Sequence, residues 1–443
     1  MSEIIVSKFG GSSLANSEQF KKVKNIILSN PNRKYIIPSA PGKRFDKDYK
    51  ITDLLYLCHA HVTSGIPFDD VFNLIEERYT SIAFDLSINL DLAPYFKEIK
   101  NNISNGASSD YAASRGEFLN GIILAKYLDF NFIDSADIIV FDESGNYNVE
   151  KTQLAINRYI KPLKNAIIPG FYGANESGEI ITFSRGGSDI TGSIISAGVN
   201  AKTYENWTDV SGFLMADPRI VTNPKTIDVI TYKELRELSY MGASVLHEEA
   251  IFPVREKGIP IRIKNTNIPS DNGTLIINDI STYSCDNNAS ITGIAGKKNF
   301  TLISIEKALM NSELGFCRKV LSILEIYDVS FETMPASIDS VAFLIDSNKL
   351  KNKTSKILDE IKRQCNPDSI DVFHNMAVLA TVGRCLSYIP SAPSKIFNAL
   401  SESNVNIKMI DHGSSELNIL IGIKNEDFEK AMNAIYNKFV KKN

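Results

Sequence analysis

Two short glycine turns carry the residues of this chain best suited to handling phosphate. The first, Lys8-Phe9-Gly10-Gly11-Ser12-Ser13, follows the strand-like run Ile4-Ile5-Val6 and precedes a helix. Phosphate oxygens need exposed backbone N–H groups, an approach free of Cβ atoms, and a cation. Gly10 and Gly11 clear the approach, the turn presents amides, and Lys8 reaches the oxygens as a point charge. The spacing is not that of the Walker loop, and a tight strand-to-helix turn with an exposed lysine would read the same way. The second turn, Ser184-Arg185-Gly186-Gly187-Ser188-Asp189, repeats the logic after the strand Ile180–Phe183. Arg185 offers a planar fork for a carboxylate or phosphate. Asp189 stands where a helix N-cap could, a role compatible with chemistry. Two such turns on one sheet point to phosphoryl transfer between two substrates.

Other candidates are weaker alone. Thr208-Asp209-Val210-Ser211-Gly212 and Ala216-Asp217-Pro218-Arg219 follow another strand. Asp209 could orient lysines or hold Mg²⁺ through water, or be a solvated turn residue. Glu117 opens a helix, where an acid is favoured by the dipole. Ser39 and Thr52 flank a charged loop, Pro41 to Lys50, that reads as a lid or a connector. The five histidines are dispersed, and the five cysteines form no Cys-x-x-Cys pair, so side chains binding a metal directly are not expected. Scattered thiols and no secretory signal suggest a cytoplasmic protein. Apolar runs are only strand-sized and the net charge is −4 without a long basic run, which argues against membrane and nucleic-acid partners.

The elements needed to position these residues follow from the periodicity. Residues 1–285 read as alternating strands and helices, an α/β domain built on a mainly parallel sheet sandwiched by helices. One helix is expected from Ser17 to Leu28, with Phe20, Val23, Ile26 and Ile27 on its buried face. A turn-rich stretch, residues 268–290, marks the junction. Beyond it the rhythm becomes βαββα, twice. Strands Thr301–Ile305, Val329–Thr333 and Val341–Ile345 with two helices form one α+β ferredoxin-like module, residues 290–370. The order recurs over 371–443, and the linker is short enough for the two modules to pack together or interleave.

In order and combination these motifs resemble the aspartokinases, of the amino-acid kinase family, over essentially the whole chain. Arg115-Gly116-Glu117, Gly170-Phe171-Tyr172-Gly173 and Gly242-Ala243-Ser244-Val245-Leu246-His247 complete the set. The resemblance implies an amino-acid kinase fold with tandem ACT modules and transfer of the γ-phosphoryl of ATP to the β-carboxylate of L-aspartate. It implies that Lys8 bridges the transferring phosphate, assisted by Phe9, Gly10, Gly11 and Ser12, with Asp189 beside the reacting centre. Ser39, Thr52, Glu117, Arg185 and Ser188 would hold aspartate. Thr208, Asp209, Phe213, Asp217, Arg219 and Ser244 would line the nucleotide, whose phosphates carry the Mg²⁺. One departure stands out: the family usually has lysine where this chain has Ser244. Lys225, Lys264 or Arg219 could supply the missing charge, or activity could be weakened. In the first ACT module the resemblance implies an amino-acid effector, lysine by preference, near Met310, Gly315, Phe316, Ser330, Glu332 and Ser337. Glu332 stands where aspartate is usual. Assembly as a homodimer or dimer of dimers through the ACT modules is implied as well. A sensor with weakened catalysis, or a kinase for another small carboxylate such as glutamate, fits the same residues.

Overall fold

The computed structural model describes residues 3–184, 186–242, 248–278, 291–384, 386, 391–413 and 417–440. Arg185 and Ser244 lie outside them. The chain divides into two compact units. One comprises Met1–Phe213, Thr226–Tyr232 and Val245–Ile280, the other Leu214–Lys225, Lys233–Ser244 and Ser281–Asn443.

The first unit is organised by β1 (Ile5–Phe9), β2 (Arg33–Pro38), β3 (Asn131–Phe132), β4 (Ala166–Ile167), the hairpin β5 (Tyr172–Ala174) and β6 (Ile180–Thr182), then β7 (Thr203–Thr208), β8 (Val229–Thr231), β9 (Ile261–Asn265) and β10 (Thr274–Ile277). All but the hairpin form one eight-stranded sheet, ordered β3-β4-β2-β1-β7-β9-β10-β8. Every pairing in it is parallel except β9 with β10. Parallel strands must be buried on both faces, and β1 and β2 accordingly end in fully buried runs.

The first nine helices are α1 (Ser17–Leu28), α2 (Ile51–Thr63), α3 (Asp69–Asp85), α4 (Ala93–Ser104), α5 (Ser109–Leu128), α6 (Val149–Ala155), α7 (Gly187–Gly198), α8 (Tyr232–Tyr240) and α9 (Phe252–Glu256). The α1 stripe of Phe20, Val23, Ile26 and Ile27 is buried as the periodicity predicts, and Asn16 caps the helix by accepting from the Gln19 N–H. Helices α1 to α5 enclose a core that includes Phe9, Phe20, Phe72, Tyr79 and Trp207. Three helices between Ile51 and Ser104 were not part of the sequence reading.

The second unit holds β11 (Gly293–Glu306), β12 (Ser340–Asp346), β13 (Ser369–Val382), β14 (Met409–Asp411) and β15 (Asn418–Lys424), in one antiparallel sheet ordered β12-β11-β13-β15-β14. Helices α10 (Phe316–Ile326), α11 (Ser347–Leu350), α12 (Thr354–Cys365), α13 (Ser391–Glu402) and α14 (Phe428–Phe439) follow the repeat order. β11 begins eight residues before the strand read at Thr301, because Gly293–Lys297 pairs with Val382–Val378 of β13. The two repeats therefore share one sheet. The strand expected over 329–333 does not form. Only isolated bridges, Thr333 to Leu344 and Ala336 to Val341, tie this segment to β12. Pro335 lies between them and has no N–H to extend a ladder.

Candidate phosphoryl-transfer site

Lys8 is the penultimate residue of β1, its side chain only 10% exposed. Its ammonium lies 2.6 Å from Asp189 Oδ1 and 3.5 Å from Asn206 Oδ1. The Asn206 amide donates to the same Asp189 oxygen at 2.8 Å. Lys8 and Asn206 are register partners on β1 and β7, so the pleat places both side chains on one face, which α7 meets with Asp189 in its first turn. The glycine turn follows: the Gly10 N–H donates to Trp207 O at 3.0 Å and the Ser13 N–H to Gly10 O. Gly11 allows a second segment to close on the turn. A Cβ there would sit 2.9 Å from Ala40 O, and the Gly42 N–H donates to Gly11 O at 2.8 Å.

The same pleat gives Phe9 a different task from its neighbour. Its ring is fully buried and stacks on Trp207 at 5.9 Å, so Phe9 offers a nucleotide only its backbone. Phe213 is likewise core, and its N–H donates to Thr274 Oγ1. Thr208 Oγ1 donates to the exposed Asp209 carboxylate at 3.2 Å. Asp217 and Arg219 form a bidentate ion pair on the segment Leu214–Lys225 of the second unit, with Arg219 largely exposed. Lys264 pairs in register with Trp207 and its ammonium sits 5.2 Å above that ring, on the sheet face opposite Lys8. Burial disfavours its charge.

Ser39, Thr52, Glu117 and Ser188 surround a second region. Ser39 is half-buried at the end of β2; its N–H donates to Phe9 O, and its carbonyl accepts from the Asn120 amide at 2.6 Å. Thr52 lies in the first turn of α2. Ser188 is buried in α7 against Gly170, where a Cβ would meet Ser188 Oγ at 2.6 Å. Glu117 is buried on α5. Its carboxylate accepts from the Ala40 backbone, but Oε2 has no partner. Burial pushes this carboxyl up to about 8, against the weaker pull of Arg115 and Lys8. Two residues away, Arg115 Nη2 is also buried and unpartnered, while the guanidinium lies over the rings of Tyr111, Phe118 and Tyr172. One unpartnered carboxylate oxygen and one unpartnered guanidinium nitrogen on one helix match the ammonium and carboxylate of an amino acid. Asn206 and the binding potential of Arg115 escaped the sequence reading. A polar residue at the C-terminal end of a buried strand was the available signal for Asn206.

In the second unit the effector candidates fall into two groups. The Met310 loop is tied to the Ser337 loop by the Asn311 N–H to Ile338 O and the Leu309 N–H to Asp339 Oδ1. Gly315, at φ +79°, opens α10, and Phe316 is buried behind it. Glu332 pairs opposite Leu344 while Ser337 pairs opposite Ser340, so the groups lie about 13 Å apart along β12. Lys349 occupies the Glu332 group: its ammonium donates to Ser330 Oγ at 2.6 Å and lies 3.8 Å from Glu332. Burial, then a hydrogen bond to Glu332, push the Tyr240 phenol up to about 12.

The sequence pattern of the amino acid kinase family matches residues 3–265, and that of an ACT domain matches 379–439. Aspartokinase 3 of Bacillus subtilis is 36% identical over 98% of both chains. A crystal structure of aspartate kinase from Clostridium acetobutylicum shares 65% identity over 99% of this chain and 100% of that one, with a TM-score of 0.91. The chain belongs to the aspartokinases of the amino acid kinase family. E. coli aspartokinase III, crystallised with aspartate and ADP, shares its fold at 24% identity and a TM-score of 0.70, over 98% of this chain and 99% of that one. As an aspartokinase the chain is a phosphotransferase with C-terminal ACT domains. No helix among its described residues is long and apolar enough to cross a membrane.

The buried Glu117 yields a prediction on stability. Its pKa is raised in the folded state, so the fold binds a proton that the unfolded chain has released above about pH 4.5. Stability is therefore lost as pH rises towards about 8. Glu117→Gln should remove that loss, raising the melting temperature at pH 8.5 relative to wild type while leaving it near wild type at pH 4.5. Equal shifts at both pH values would contradict the assignment.

Proposed function

We propose that this aspartokinase transfers the γ-phosphoryl of ATP to the β-carboxylate of L-aspartate, giving 4-phospho-L-aspartate. The observation that carries the reading is the Lys8–Asp189–Asn206 cluster at the mouth of the glycine turn. The acceptor carboxylate is ionised at neutral pH and needs no general base. One of its oxygens attacks the γ-phosphorus; the O–P bond forms as the bond to the β–γ bridging oxygen breaks, and ADP leaves with that electron pair. No proton moves in this step. The protein's part is alignment and charge stabilisation. Lys8 leaves Asp189 for the transferring oxygens, and Asp189 with Asn206 fixes the position from which it reaches them. The amides of Gly10, Gly11 and Ser12 assist.

Glu117, once ionised, receives the aspartate ammonium, and Ser39, Thr52 and Ser188 supply hydrogen bonds. Arg185 and the unpartnered edge of Arg115 are the cations for the acceptor's carboxylates. Thr208, Asp209, Asp217 and Arg219 serve the nucleotide. Mg²⁺ would arrive on the nucleotide phosphates rather than on a set of side chains. That ion would neutralise phosphate charge. We read the product as the first intermediate of aspartate-family amino-acid synthesis, made in the cytoplasm by a homo-oligomer joined through its ACT modules. Lysine is the effector we favour, its ammonium replacing that of Lys349 beside Ser330 and Glu332. The alternative of a weakened sensor rests on Ser244 and the ACT repeat.

A coupled assay for ADP release should show turnover with aspartate and at least 100-fold lower kcat/KM with glutamate. Lys8→Ala should lower kcat at least 100-fold with the circular dichroism unchanged; near-normal turnover would remove Lys8 from the reaction. Calorimetric titration with lysine should give a saturable heat that Glu332→Ala abolishes. A flat titration with wild type would leave the ACT sheet a structural element only.

A further inference from the structure

The loop joining Ser39 to Thr52 is fastened from behind by Arg78 of α3, and the next residue, Tyr79, fastens α5. Asp48, buried in that loop, receives both of its oxygens' hydrogen bonds from Arg78 Nη2, at 2.9 and 2.7 Å. Arg44 adds its own fork, Nε and Nη2 at 2.9 and 3.0 Å, and its backbone N–H at 2.9 Å. These donors hold the Asp48 carboxyl well below the usual carboxylate range, the Arg44 side chain being the largest cause. Arg78 Nη1 then donates to Gly42 O at 3.1 Å, and the Gly42 N–H donates to Gly11 O in the phosphate turn. A Cβ on Gly42 would lie 2.7 Å from Gly11 C, so backbone meets backbone here. On the next residue, Tyr79 Oη donates to Gly116 O at 2.6 Å, beside Glu117. Gly116 in turn packs on Ala40, whose N–H serves the Glu117 carboxylate.

We infer that Arg78 and Tyr79 are positioning residues for the acceptor. Neither touches a reacting group. Arg78 fixes the loop whose ends carry Ser39 and Thr52, and Tyr79 fixes the α5 turn that carries Glu117, so one helix sets the distance between the two walls of the acceptor site. A buried ion pair returns little net stability once desolvation is counted, whereas its five-donor fork fixes geometry. Lysine at position 78 would keep the charge and lose the fork, since one ammonium cannot grip both Asp48 oxygens and Gly42 O in the same plane. The phosphate turn has independent anchors, through Gly10 to Trp207 and Ser13 to Thr266. Loosening the loop therefore acts on the acceptor more than on the nucleotide.

The inference rests on the aspartate-kinase reading, and kinetics combined with calorimetry on the full-length chain separates the two. Arg78→Lys should raise the aspartate KM at least 10-fold and weaken aspartate binding in parallel, with the ATP KM within about threefold of wild type. Arg44→Ala, at a half-exposed position that folding tolerates, should raise the aspartate KM about threefold. Unchanged aspartate KM in Arg44→Ala and Arg78→Lys, or equal rises for both substrates, would overturn the positioning role even if melting temperatures fall. Should Arg78→Lys fail to fold, Arg44→Ala decides alone. Wild type that binds aspartate without turning it over would sink the kinase reading only, with the binding constants of the variants still deciding the inference. Wild type that does not bind aspartate would sink both.

Discussion

The structure of the site depends on one buried ion pair, Lys8 with Asp189. Taking two charges out of water costs about as much as their attraction returns, so a pair of this kind adds little to stability. What it does is hold a cation at the end of β1 while no phosphate is present. Asn206 donates to the same carboxylate oxygen and leaves Asp189 less free to turn. The parallel order β2-β1-β7 then becomes a functional requirement: it makes Lys8 and Asn206 lateral neighbours. The second glycine turn comes off the separate β5-β6 hairpin and meets Lys8 through Asp189 of α7. In the proposed reaction a phosphate would compete with Asp189 for Lys8, leaving the Asp189 carboxylate the Asn206 amide as its donor.

Glu117 applies the same economy with the opposite sign. Its carboxyl is buried with one oxygen unpartnered, and that burial favours the protonated form. In the proposed reading an acceptor ammonium would restore the charge balance at Glu117. Stability is given up at a place where binding recovers it, the usual exchange between rigidity and activity at enzyme sites. α3 keeps this arrangement narrow by gripping the loop on one side and α5 on the other.

Much of this was legible in the residues. The two glycine turns, the α1 stripe and the repeated C-terminal order could be read because each is local, set by neighbouring residues and short periods. What escaped was non-local. Arg78 interrupts an otherwise apolar helix face, and its partner Asp48 lies thirty residues back in a loop that read as a lid or a connector. Phe9 beside Lys8 looked like a nucleotide contact, although alternation along a strand sends it to the opposite face. β11 was read at about a third of its length because its first residues pair with β13 and its sequence carries no mark of that partner. The strand expected at 329–333 had the right composition, yet only isolated bridges form on either side of Pro335.

The claim at the centre of this account is that Asp189 aims Lys8 rather than binds substrate. Steady-state kinetics of Asp189→Asn tests it most directly, because an amide keeps the shape and removes the charge. The account predicts a kcat at least 100-fold below wild type with both KM values within about threefold. A kcat near wild type, or a loss confined to KM, would contradict it.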